Sequence, residues 1–235
     1  METKKVDWQL VILVCSIIII MIMGVRQSLG LFLEPITNFM NSGKEFFSFA
    51  IGVQAIIWGL VTFFLGILID KFGPQKVLAF GIISFASGIF LMSNPTSEFT
   101  LFSATTLMGF GLGGAGMATM VSIAGKVAPV NKRSLAMGLV AAAASFGQFA
   151  VVLPTMWMNK AFGWETSLIV LASVVIGLLI FLPLLNSTNN KSNSAQDFGN
   201  SLQQTIMFSL REKNYILLIS GFFVCGFHVT FIALH

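Results

Sequence analysis

Stretches of about 20 residues with almost no charge recur along this chain, and they limit its fold more than any other feature. A helix rises 1.5 Å per residue, so about 20 residues cross a hydrocarbon core of about 30 Å. Such stretches fall at 10–33, 46–69, 77–92, 99–125, 135–158 and 166–185, and a further apolar run occupies 216–234. The third is short, and an extension toward Pro95 would lengthen it. Membrane β-strands would be half as long and alternate polar with apolar residues, whereas a run such as 10–23 is apolar on every face. The expectation is an all-α membrane protein with six complete spans and most of a seventh.

Composition agrees. Residues are 56% hydrophobic and 9% charged with a mean hydropathy of +0.89, against roughly 25% charged in a soluble domain. The net charge of +4 sits in short loops rather than in a stripe, which argues against a nucleic-acid partner. Cys15 and Cys225 both lie in apolar runs and read as packing residues, with no disulfide implied. The first run resembles a signal-peptide core, but it continues for about 24 residues without a small-residue cleavage site and reads as a retained span.

Loop charges set the orientation, because Lys and Arg are retained on the cytoplasmic side. Alternate loops carry ten basic residues on one side, among them Lys4, Lys71, Lys76, Lys126, Lys132 and Arg133, and only Lys44 and Lys160 on the other. The amino terminus is therefore expected in the cytoplasm, and the membrane to be the plasma (inner) membrane. Residues 186–215, rich in Asn, Ser and Gln with five charges, read as a cytoplasmic linker between a 1–185 bundle and an incomplete seventh helix at 216–235. Within it, Phe198, Leu202, Ile206 and Leu210 recur every fourth residue, which suits either an interfacial amphipathic helix or a solvated tether.

The second run ends in Asp70-Lys71-Phe72-Gly73 and the fifth in Asn159-Lys160-Ala161-Phe162-Gly163, each before the third helix of a triplet. These junctions fall on opposite sides of the membrane, as two inverted three-helix repeats require. The segment from Gly66 through Asp70, Lys71 and Gly73 to Lys76 also resembles the loop signature of the major facilitator superfamily, Gly-x-x-x-Asp-Arg/Lys-x-Gly-x-x-Lys/Arg, at the place where that family carries it. The resemblance implies a transporter of two six-helix halves. In it Gly66 would allow close helix approach, Asp70 would accept from a neighbour at a helix end, and Gly73 would permit the turn. Lys71 and Lys76 would hold the loop at an anionic leaflet. Two further stretches, 24–36 and 133–154, look like the oxalate/formate antiporter and monocarboxylate transporter branch. Drug/proton antiporters differ at Thr105, where they carry Arg, and at Gly147-Gln148, where they carry Gly-Pro.

Arg26 is the one charge deep inside a span. Such a charge is costly unless it meets an interior or wet cavity and a partner. It shares a helical face with Cys15, Ile19, Ile22, Gly30 and Leu33, and its planar fork matches a carboxylate. Two readings stand: contact with an anionic substrate, or pairing with backbone carbonyls or an acid. Gln54 and Gln148 could donate to a carboxylate or bond a neighbouring helix, and His228 could carry a coupling proton or simply pack. The glycines Gly109, Gly111, Gly113, Gly114 and Gly116 lack the strand and the Lys-Ser/Thr ending of a phosphate loop, so close helix packing is the expectation, above all for Gly109, Gly113 and Gly116. The sequence shows no grouping with metal-ligand spacing and no nucleophile beside a base, so neither metal, cofactor nor catalysis is expected.

These features together predict secondary active transport of a small organic anion, a monocarboxylate or dicarboxylate, by alternating access. A proton or counter-anion would drive it. This chain would supply the amino-terminal half, the carboxyl-terminal half being absent. A truncated inactive fragment or a self-associating six-helix membrane module are the other classes.

Overall fold

A computed structural model of the chain describes residues 8–188 and scattered positions between 212 and 226. The chain divides into two compact units, Met1–Asn190 and Lys191–His235. In the second, the described positions at 216–226 are helical. His228, Cys225 and the 198–210 segment lie outside the described residues.

The described part of the first unit consists of helices joined by short turns and contains six helical spans: Trp8–Met40, Lys44–Ile69, Pro74–Met92, Glu98–Val127, Val130–Phe162 and Trp164–Leu185. This is the all-α membrane architecture that the apolar runs predict, an integral multi-pass protein. The third span gains its length at the other end from that expected: it starts at Pro74 and stops at Met92. Proline fits a first helical position because the N–H it lacks would have no partner there.

Four spans depart from a single continuous α-helix, and a proline lies at three of the departures. The first consists of α1 (Trp8–Ser28), a 3-10 turn at Leu29–Phe32 and α2 (Leu33–Met40). Pro35 cannot donate to the carbonyl of Leu31, and that carbonyl instead accepts from Asn159 Nδ2 at 3.4 Å. The second and third spans are continuous as α3 (Lys44–Phe72) and α4 (Pro74–Met92). The fourth divides at Gly116 into α5 (Glu98–Ala115) and α6 (Met117–Val127). In the fifth, α7 (Arg133–Ala150) gives way to α8 (Val152–Phe162) at Val151, because Pro154 cannot bond the Ala150 carbonyl. The sixth runs as α9 (Trp164–Gly177) into a 3-10 segment, Leu178–Thr188, that contains Pro183. Gln75 Nε2 donates to the Leu182 carbonyl at 2.7 Å and ties this last segment to α4.

The two repeat junctions share one backbone geometry. Gly73 has φ 86° and ψ 154°, and Gly163 has φ 83° and ψ 164°. Each donates to the carbonyl four residues back, Ile69 at 3.0 Å and Asn159 at 3.2 Å, and each starts the next helix. This region of backbone space is open essentially to glycine alone. A turn of the same shape at both places gives the inverted repeat a physical basis.

Helix α5 is the hub. A methyl group on Gly109 would come within 3.0 Å of the Gln54 carbonyl, and one on Gly113 within 3.3 Å of the Thr62 nitrogen, so these two positions face α3. Methyls on Gly111 and Gly114 would meet the Phe85 nitrogen at 2.5 Å and the Gly81 Cα at 2.8 Å, both on α4. One glycine-rich helix therefore receives a neighbour on each of two faces. Gly24 and Gly147 serve the α1–α7 crossing in the same way, with Gly147 against the backbone of Ile20. Without a hydrophobic drive between helices in lipid, this close backbone approach supplies the packing energy.

Candidate functional site

Arg26 occupies the last turn of α1, just before the helix tightens. On its face, Cys15, Ile19 and Ile22 are fully buried, Arg26 is half-buried and Gly30 is exposed, so the face opens at the charge. The guanidinium carbon lies 4.8 Å from the centroid of the Trp58 ring on α3. Among the described residues no carboxylate lies within ion-pair distance of Arg26, and the ion pair found there, Lys44–Glu34 at 3.1 Å, is exposed at a span end. A cation over an indole gains roughly 0.5–2 kcal/mol and keeps its charge, whereas a carboxylate partner would neutralise it.

Trp58 also reaches the break in the fourth span. Its Nε1 lies 3.3 Å from where a side chain on Gly116 would begin. Beside it, a cavity of about 550 Å³ is lined by Ala55, Trp58, Gly59, Thr62, Met117, Ala118 and Val121. A second, of about 220 Å³, shares Thr62 and Ala118 with the first and continues past Gly66, Ile69, Thr119 and Ser122 to Lys126. The two form a path between α3 and α6 that becomes more polar toward Lys126. Because α6 starts at Met117, the positive end of its dipole borders the larger cavity.

The other expected site residues fall in different settings. Gln54, one turn before Trp58 on α3, is 1% exposed, and its Nε2 has no hydrogen-bond partner among the described residues. Gln148 is half-buried beside the Gly147 crossing. Gly66 differs from expectation: it is exposed, and a side chain there would meet nothing within 4 Å, so among the described residues it marks no helix crossing and borders the smaller cavity instead. Gly116 sits less at a helix crossing than at a helix break, where it starts α6. Asp70 and Lys71 lie in the last turn of α3, with their side chains outside the described positions, and Lys76 is exposed. Thr105 is buried, its hydroxyl donating to the Phe102 carbonyl at 3.0 Å within its own helix.

The sequence reading missed Trp58. Its signal was present in the spacing, since Gln54 and Trp58 are four residues apart on one helical face, but a tryptophan in a span reads equally as packing or as interfacial anchor.

The family model for the Major Facilitator Superfamily matches residues 13–235. The chain belongs to the major facilitator superfamily. Its relatives include an uncharacterized MFS-type transporter of Bacillus subtilis, 26% identical over 225 residues that cover 89% of this chain and 52% of the relative. An agnestins efflux protein of Paecilomyces divaricatus is 27% identical over 74% of this chain and 37% of its own length. The vesicular acetylcholine transporter of Drosophila melanogaster is 31% identical over 72% of this chain and 29% of its own. The chain thus spans about half or less of these relatives. The superfamily is one of membrane transporters rather than enzymes.

Proposed function

We propose that this chain forms the amino-terminal half of a secondary transporter that moves a small organic anion, with Arg26 as the anion contact. The observation that carries the reading is a permanent cation inside a span, held on the Trp58 ring with no carboxylate within ion-pair distance among the described residues. A guanidinium left unneutralised in a membrane protein is stabilised when an anion arrives, and its fork suits a carboxylate. The dipole of α6 favours the same sign of charge. A cationic substrate, such as the one the acetylcholine transporter's name specifies, would meet like charge at this place.

In the same reading the amino terminus lies in the cytoplasm of a cell bounded by the plasma membrane. Residues 186–215 connect the bundle to a second half, and the Asp70 loop latches one state of the rocking pair. Gln54 and Gln148 are second-rank contacts, and His228 is the candidate for proton coupling. The two halves would alternate about the midplane site.

Expression from the complete reading frame, followed by uptake of labelled oxalate, formate, lactate, pyruvate and choline, tests the proposal. Arg26→Gln should abolish carboxylate uptake while leaving insertion intact, and Arg26→Lys should retain a part of it, because charge persists without the fork. Carboxylate uptake unchanged in Arg26→Gln, or transport of choline alone, overturns the anion reading.

A further inference from the structure

Between α3 and α4 runs a groove of about 440 Å³ that has no part in the proposed anion path. Beneath it lies the buried cluster Leu65, Ile69 and Val77, with Val61 packed against it. Its walls are aromatic: Phe64 is 59% exposed and Phe80 48%. Along α3 the lining extends from Val61 to Phe72, about 16 Å of helix, which is half of a hydrocarbon core of about 30 Å. The groove is one leaflet deep. At its end, where α3 turns into α4 through Gly73, stands exposed Lys76, the single charged residue among the nine that line it. This is the side of the membrane on which ten of the twelve loop cations fall.

We propose that this groove binds one anionic phospholipid, with an acyl chain along Phe64 and Phe80 and its phosphate on Lys76. Depth and charge both select that occupant. A chain one leaflet long fills an apolar slot one leaflet deep, and the headgroup then falls at the level of the ammonium. A zwitterionic lipid would place a second cation beside Lys76, whereas an anionic headgroup leaves the pair complementary. One lysine at a membrane surface gives about a fivefold preference for an anionic lipid. Because the lipid bridges α3 and α4 on either side of the Gly73 turn, it holds the loop signature at the leaflet. The proposal does not depend on which solute is carried.

The test uses the full chain reconstituted in vesicles, with Phe80→Trp as reporter and brominated phosphatidylglycerol or phosphatidylcholine as quencher. Emission gained by Phe80→Trp should be quenched with about fivefold higher apparent affinity by the anionic lipid. Lys76→Gln should remove the preference, and Lys76→Arg should keep it. A tryptophan at Phe99, 79% exposed at the opposite end of a span, should show no preference. Phe64→Trp provides a second reporter should Phe80→Trp fail to fold. Equal quenching by both lipids, a preference that survives Lys76→Gln, the same preference at Phe99→Trp, or no quenching by either lipid each overturns the proposal. The last outcome would mean that protein covers the groove.

Discussion

Substituting Gly163 by alanine isolates the energy of one backbone conformation. Gly163 holds φ 83° and ψ 164°, a region that costs other residues about 1–3 kcal/mol. A side chain there would meet nothing within 4 Å, so no packing energy enters. Alanine also restricts the unfolded chain, which returns about 0.4–1 kcal/mol, and the net loss is about 1–2 kcal/mol. Gly138 is the matched control, because it too faces open space but lies inside α7. There alanine is the better helix former by about 0.5–1 kcal/mol, so the same chemical change should stabilise. The two variants should therefore differ by about 2–3 kcal/mol with opposite signs. Reversible unfolding of the chain in mixed micelles, titrated with sodium dodecyl sulfate and followed by far-ultraviolet circular dichroism, reads this directly. The midpoint should fall for Gly163→Ala and rise for Gly138→Ala. A neutral or stabilising Gly163→Ala, or two shifts of one sign, would refute the view that this turn is held by a glycine-only conformation.

Gly147→Val should lower the unfolding midpoint in the same titration by at least the 1–3 kcal/mol typical of overpacking, because the atoms it would strike are the backbone of Ile20, with the carbonyl carbon at 2.8 Å. Asn159→Ala should cost about 1 kcal/mol through the lost bond to the Leu31 carbonyl. In a Pro35→Ala background that cost should shrink, since the restored N–H can take the same carbonyl; an equal cost in both backgrounds would show that the two are not coupled.

Length and apolarity made the six spans legible, because crossing a bilayer takes about 20 apolar helical residues or more and the sequence meets that requirement six times over. The Gly73 turn was legible because a glycine before a proline between two apolar runs has few other uses. Gly66 shows where such reasoning stops. A glycine in a span says that a close approach is allowed, but only the three-dimensional register says whether a neighbour comes. The same holds for Gln54, since a polar residue in a span can face a cavity or a neighbouring helix, and only the fold shows its side chain buried with Nε2 unpartnered among the described residues. Trp58 was out of reach for a related reason: its contact with Arg26 joins two spans set by separate glycine crossings, α3 on α5 and α1 on α7.

The interruptions carry the repeat further than the loops do. Inversion exchanges the first span with the fourth and the second with the fifth, so the packing of α3 on α5 corresponds to that of α1 on α7. Both crossings exist, and both use glycine. Arg26 lies 47 residues before Gly73, and Gly116 lies 47 residues before Gly163, which makes the charge and the break equivalent positions of the two triplets. One triplet places a cation there and the other a helix start, and Trp58 touches both. A guanidinium and the positive end of a helix dipole repel one another unless something between them is electron-rich or anionic. The indole face partners the cation, while its Nε1 edge lies by the break. On the reading proposed above, a carboxylate beside Trp58 would be favoured by both positions, because each presents positive charge there.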